Sequence, residues 1–215
     1  WDLGSGREVT TFSGHFNEIT AAGFSPDGQV LASCDYDGMV KLWRTATTET
    51  GPMRVGAGPV VISPDGSRLA SVESERVRVL SAGDGGVLLD VPVAGPAGMV
   101  RFSRDGLRLA IGGAGERADA EDGGSKRRFV FRPTQVWDVQ TARKVADIQR
   151  YVTPQDNATI ASLDFSPDGH WLALSGIEGS SAYLWNIEQG RLVDVRRHGV
   201  GAVQFSPDGR RMVVA

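Results

Sequence analysis

The sequence has little of several things that common functional classes require. It contains one cysteine, Cys34, in 215 residues, so no internal disulfide can form, which favours a reducing compartment and a cytoplasmic location. The formal net charge of −3 is too near neutral to indicate nucleic-acid binding. No apolar run approaches the roughly 20 residues of a transmembrane helix, so we expect no membrane segment in this part of the chain.

Motifs of catalysis and metal binding are absent as well. The chain has no Gly-x-Ser-x-Gly nucleophile elbow, no Gly-x4-Gly-Lys-Ser/Thr phosphate loop and no His-Glu-x-x-His pair. Its three histidines, His15, His170 and His198, are too scattered for a metal ligand set. We therefore predict no enzymatic activity, no cofactor and no metal.

What the sequence does contain is one short phrase in five copies. An apolar residue, Ser, Pro (Arg104 in the third copy), Asp and Gly follow one another at steps of 38, 40, 63 and 40 residues. The copies begin at Phe24, Ile62, Phe102, Phe165 and Phe205. Proline presets φ and glycine accepts a positive φ, so each copy predicts a β-hairpin with a structural aspartate. A period near 40 residues predicts a modular repeat.

A second phrase, an aromatic or apolar strand, follows each of the first four turns. Its copies are Val40-Lys41-Leu42-Trp43, Val77-Arg78-Val79-Leu80, Gln135-Val136-Trp137-Asp138 and Tyr183-Leu184-Trp185-Asn186, and the chain itself begins with Trp1-Asp2. A polar turn and a further short strand come next, so the unit is a meander of four strands, a to d. Together with Gly14-His15, this pattern resembles the WD40 repeat family.

The resemblance covers essentially the whole chain and implies an all-β fold, a β-propeller of four-stranded antiparallel blades. We expect four complete blades and a partial fifth, with repeats at about residues 1–43, 44–80, 81–137, 138–185 and 186–215, and a strand d near residues 6–9. A seven-bladed ring needs roughly 280 residues, so we expect a segment of a longer, bacterial-type propeller with open edges. TolB-like propellers and the propeller caps of serine peptidases share the Ser-Pro-Asp-Gly turn. The Trp-Asp dipeptide at the end of the repeating unit favours WD40.

The resemblance also implies a buried hydrogen-bond tetrad in the first repeat. Its members would be His15, Ser33, Asp37 and Trp43. A histidine between a hydroxyl, a carboxylate and an indole N–H can satisfy every donor and acceptor. We therefore interpret His15 as a structural residue rather than as a catalytic base.

Two insertions interrupt the period. About 16 extra residues lie between strands b and c of the third blade, within residues 112–132, and about eight precede the next strand a, within residues 150–159. In an antiparallel meander both connections leave the same end, so they define one face, although solvated loops would explain the same lengths. The candidate partner-binding residues there are Phe16, Tyr36, Glu116, Asp119, Glu121, Asp122, Lys126, Arg127, Arg128, Tyr151, Gln155 and Asp156.

These features favour a non-catalytic scaffold that binds protein or peptide partners through its loops. The alternative is the propeller domain of a larger enzyme, either a peptidase cap or a regulatory domain attached to a kinase or an NTPase. A rigid ring supports many unrelated functions, so the residues predict the class of partner but not its identity.

Overall fold

Short β-strands make up all the regular secondary structure that the structure describes. It is a computed structural model and covers the chain except residues 26, 38, 46–49, 55–59, 74, 84, 94–96, 114–115, 119–127, 131–132, 149–159, 177–181 and 197–200. The described residues form twenty strands and no helix. The described residues therefore contain no helix that is long and apolar enough to cross a membrane.

Four sheets of four strands and two smaller sheets account for these strands. The first sheet holds β1 (Ile19–Phe24), β2 (Val30–Asp35), β3 (Met39–Arg44) and β4 (Thr50–Arg54), and the second holds β5 (Val60–Ile62), β6 (Arg68–Glu73), β7 (Arg76–Ser81) and β8 (Val87–Pro92). The third holds β9 (Ala97–Phe102), β10 (Arg108–Gly113), β13 (Thr134–Asp138) and β14 (Arg143–Ile148), and the fourth holds β15 (Ile160–Phe165), β16 (Trp171–Gly176), β17 (Ala182–Asn186) and β18 (Arg191–Arg196). The two-stranded sheets are β11 (Glu116–Ala118) with β12 (Arg128–Val130), and β19 (Val203–Phe205) with β20 (Met212–Val214).

Each four-stranded sheet is an antiparallel meander in which neighbours in sequence pair in space, apart from the β11–β12 hairpin inserted between β10 and β13. This is the strand order of propeller blades. Two details differ from the expectation. The hairpin adds two strands, and residues 6–9 form no strand but only a bridge between Asp2 and Arg7. The prediction of a strand d near residues 6–9 is therefore wrong.

The repeated turns are nearly identical, which explains their shared sequence. In each turn the serine hydroxyl donates to the aspartate at 2.5–2.6 Å, and the glycine has φ between 68° and 73°. The aspartate also accepts the N–H of the residue after the glycine at 3.0–3.1 Å. The serine hydroxyls lower the pKa of Asp27, Asp168 and Asp208 below the usual range. These aspartates are turn residues, as expected.

The core consists of apolar layers between neighbouring sheets. Successive side chains of a strand point to opposite faces, so Leu69 packs against the first sheet while Ala70 and Val72 pack against the third. The layer between the third and fourth sheets contains Val136 and Leu172, both fully buried. Because each sheet covers its neighbours on both faces, the blades stabilise one another in sequence order.

Arginine side chains connect the same neighbours through hydrogen bonds. Arg68, the first residue of β6, donates to the carbonyl of Gly106 in the next blade at 2.8 Å. Arg108 holds the same position in β10 and donates to the carbonyl of Gly169 at 2.5 Å. Sequence reasoning missed these contacts, although an arginine five residues after the turn serine recurs at both positions.

Candidate interaction face and the buried network beneath it

A chain of hydrogen bonds joins the first blade to the segment that precedes it. The indole Nε1 of Trp43 donates to Ser33 Oγ at 2.8 Å, and Ser33 Oγ lies 2.7 Å from His15 Nε2. His15 Nδ1 lies 2.7 Å from Asp35 Oδ2, and the two side chains are 5 % and 4 % exposed. Asp35 Oδ1 in turn accepts the backbone N–H groups of Asp37 and Met39 at 3.1 and 2.9 Å.

The carboxylate of this network belongs to Asp35. The prediction that Asp37 is a member of the buried tetrad is therefore wrong. Ser33 and Asp35 are two residues apart in β2 and therefore point to the same side of the sheet, toward His15. Asp37 lies beyond the end of β2 in an exposed turn, where its Oδ1 accepts Asn17 Nδ2 at 3.1 Å. Spacing alone does not separate the two aspartates, because both lie an even number of residues from Ser33.

The network is satisfied with a neutral histidine. His15 Nδ1–H donates to Asp35, the Ser33 hydroxyl donates to Nε2, and the Ser33 oxygen accepts the indole N–H. Burial raises the pKa of Asp35, but the hydrogen bonds from His15 and from the Met39 N–H hold it below the ordinary value.

The serine, histidine and aspartate have the connectivity of a hydrolytic triad. Ser33 is only 5 % exposed, however, and its oxygen is occupied by the indole of Trp43. A nucleophile needs an oxygen that a substrate can reach. The arrangement therefore serves to hold the segment and the blade together.

The end of the first blade above this network presents two exposed aromatic side chains. Phe16 is 101 % exposed and Tyr36 is 72 % exposed. Their segments are joined by a hydrogen bond from the Tyr36 N–H to the Glu18 carbonyl at 2.9 Å. We call this end of the blades, where the b–c turns and the d–a connections lie, the loop face.

The turns at the opposite end are joined in the same way. Backbone hydrogen bonds of 2.8–2.9 Å link each c–d turn to the a–b turn of its own blade, as from Val139 N–H to the Leu107 carbonyl. The hairpin β11–β12 is inserted between strands b and c, so it belongs to the loop face.

The remaining candidate residues lie mostly outside the described residues. Glu116 begins β11 and Arg128 begins β12, and these strands pair in antiparallel register. The other predicted positions, Asp119, Glu121, Asp122, Lys126, Arg127, Tyr151, Gln155 and Asp156, fall in the undescribed segments 119–127 and 149–159. Their place on the loop face stays a prediction.

A cavity of about 520 Å³ lies where the inner strands of all five blades converge. Arg104, which stands where the other turns have proline, donates to the Pro207 carbonyl at 3.0 Å and so connects the third and fifth blades. Arg101 Nη2 lies 3.1 Å from Asp164 Oδ1, and Asp164 Oδ2 accepts the Phe205 N–H at 2.7 Å. These contacts connect the third, fourth and fifth blades around the cavity. Among the described residues no group of acidic, histidine or cysteine side chains could hold a metal ion.

Comparison with known proteins identifies the repeat. The model of the WD domain, G-beta repeat, matches residues 6–44 and 148–186. The chain therefore contains WD40 repeats in these two places. The first match contains the whole network of His15, Ser33, Asp35 and Trp43, and the second ends with strand c of the fourth blade.

Several curated proteins are similar to part or all of the chain. The human serine-threonine kinase receptor-associated protein is 42 % identical over 50 residues, 23 % of this chain and 14 % of the relative. The Dictyostelium discoideum periodic tryptophan protein 2 homolog is 26 % identical over 230 aligned residues, 100 % of this chain and 22 % of the relative. The Arabidopsis thaliana pre-mRNA-processing factor 19 homolog 2 is 32 % identical over 126 residues, 52 % of this chain and 23 % of the relative.

This chain thus spans 14 to 23 % of the length of these relatives.

Proposed function

We propose that this protein is a non-catalytic WD40 propeller that binds protein partners through its loop face. The observation that carries the proposal is the pair of exposed aromatic side chains, Phe16 and Tyr36, on a hydrogen-bonded frame at that face. Aromatic residues are enriched at the centres of protein interfaces. Large aromatic side chains that are exposed to water on a hydrogen-bonded backbone frame therefore support the binding of a protein partner.

The frame supports the proposal because it is built before any partner arrives. His15 immediately precedes Phe16, and Asp35 immediately precedes Tyr36, so the buried pair fixes both segments. Binding to a preorganised surface loses less conformational entropy than binding to flexible loops. The hairpin β11–β12 adds further surface to the loop face.

The test is site-specific photo-crosslinking in the protein's native source. A photoreactive phenylalanine analogue placed at position 36 should crosslink a protein partner, and Phe16→Ala should reduce that crosslink. The matched control carries the same analogue at Gln189, an exposed residue of a c–d turn at the opposite end. Crosslinks that form equally at position 189, or that persist with Phe16→Ala, would contradict a partner site on the loop face.

Two earlier expectations stay predictions. The cytoplasmic location rests on the single cysteine, Cys34, which is buried and free. The alternative of a propeller domain within a larger enzyme concerns the whole protein rather than this chain.

A further inference from the structure

The loop face of the first blade combines aromatic and acidic side chains in one small area. Phe16, Glu18, Tyr36 and Asp37 are all exposed, and they lie on two segments that are hydrogen-bonded to each other. We call these four residues the aromatic–acidic patch. Its formal charge is −2, because it contains two carboxylates and no basic residue.

The patch has a fixed geometry. The Tyr36 N–H donates to the Glu18 carbonyl at 2.9 Å, and Asn17 Nδ2 donates to Asp37 Oδ1 at 3.1 Å. The Asp37 N–H is held by the buried Asp35 carboxylate at 3.1 Å. Each half of the patch is thus bonded to the other half, and one half is bonded to the core of the blade.

The negative charge of the patch is not neutralised by the chain in its described part. Asp37 has the neutral amide of Asn17 as its side-chain partner, and the Glu18 carboxylate has neither a hydrogen bond nor a salt bridge there. Lys41, a cation of the same blade, is engaged elsewhere. Its Nζ donates to the Gly14 carbonyl at 2.6 Å and lies 5.7 Å from the centre of the Trp43 ring.

We infer that the aromatic–acidic patch binds a basic peptide segment of a protein partner, with an arginine or lysine next to an apolar residue. The cation would lie against the face of Phe16 or Tyr36 and within reach of Glu18 and Asp37. Such a cation gains attraction to the ring and to the carboxylates together. The apolar neighbour would cover the exposed rings. Nucleic acid is disfavoured because its phosphates would be repelled by the same carboxylates.

This inference rests on the proposed loop-face function and specifies the partner's chemistry. The test selects binders from a display library of random short peptides on the immobilised 215-residue chain. We expect the selected peptides to be enriched in arginine or lysine beside an apolar residue. Their synthetic forms should bind the double variant Glu18→Gln/Asp37→Asn about twofold to thirtyfold more weakly, as for the loss of two exposed charge contacts. The difference should shrink at high salt.

The double variant preserves the frame, because Asn retains an oxygen for Asn17 and the Glu18 backbone carbonyl is unchanged. The control, Glu188→Gln, removes one charge from an exposed c–d turn of the fourth blade, at the end opposite the loop face, and should leave affinity unchanged. An equal loss in the control would mean a general charge effect and would overturn the inference.

The remaining outcomes separate the two proposals. Peptides without basic enrichment that still lose binding with Tyr36→Ala would overturn the inference and leave the loop-face function standing. Peptides unaffected by both Phe16→Ala and Tyr36→Ala would count against both proposals. A single-stranded oligonucleotide that itself binds the immobilised chain, and binds it more weakly after Tyr36→Ala, would also overturn the inference.

Discussion

Replacement of His15 by alanine tests the buried network most directly. The substitution removes one hydrogen bond to a carboxylate and one to a hydroxyl, at a side chain that is 5 % exposed. A bond to a charged group contributes about 1.5–3 kcal/mol and a neutral one about 0.5–1.5 kcal/mol. We therefore expect His15→Ala to destabilise the first blade by about 2–4 kcal/mol, because the partners stay buried and unsatisfied.

The measurement should be local, since blades of a repeat protein need not unfold together. Hydrogen exchange followed by mass spectrometry reports the opening of β2 and β3 separately from that of the fourth blade. The expected change corresponds to a roughly thirtyfold to thousandfold larger opening constant in the first blade. Exchange of β16 and β17 serves as the internal control and should stay the same.

Two further variants test which aspartate belongs to the network. Asp35→Ala removes the acceptor of the His15 N–H and of two backbone N–H groups, whereas Asp37→Ala removes only the acceptor of Asn17. Exchange in β2 should therefore increase far more with Asp35→Ala. If Asp37→Ala has the larger effect, or if His15→Ala leaves exchange in the first blade unchanged, the assignment of the network is wrong.

Three other predictions follow from local geometry. Gly66→Ala should lower the stability of the protein by about 1–3 kcal/mol more than Gly28→Ala. Both glycines have φ near +70°, but a Cβ at Gly66 would lie 2.9 Å from a serine of the first blade, whereas a Cβ at Gly28 would meet open space. Equal denaturant midpoints of the two variants would contradict this. Arg108→Gln should loosen the third and fourth blades by about 1 kcal/mol, measured by exchange in β15, whereas the exposed control Arg210→Gln should not. The lowered pKa of Asp35 contributes stability above the unfolded-state value of about 3.9, and that stability is lost as pH falls through the folded-state pKa. A fluorescence titration should therefore show no transition between pH 5 and 7 from this group and a loss of structure only in stronger acid.

The five turns show how far sequence reasoning reaches when the interactions are local. Ser25, Asp27 and Gly28 bond to each other within a few residues, so their types fix the turn wherever the phrase occurs. The inner strands β1, β5, β9, β15 and β19 all end at the apolar residue that begins the repeated phrase.

Contacts between segments were harder to predict. The choice between Asp35 and Asp37 depends on which side chain the end of β2 turns toward His15, and that is decided by packing 20 residues away in sequence. The arginine contacts between blades depend likewise on the distance between one blade and the turn of the next. No pattern within a single repeat contains that distance.

The sequence by itself determined the meander, its turns and the resemblance to WD40 repeats, because these follow from local backbone preferences and from a period that recurs along the chain. Only the tertiary structure decided which aspartate is buried with His15 and how Phe16 and Tyr36 come together with two unneutralised carboxylates. The physical reason is that burial, pairing of charges and the neighbourhood of two loops are properties of packing between segments. Those properties exist only when the blade has formed.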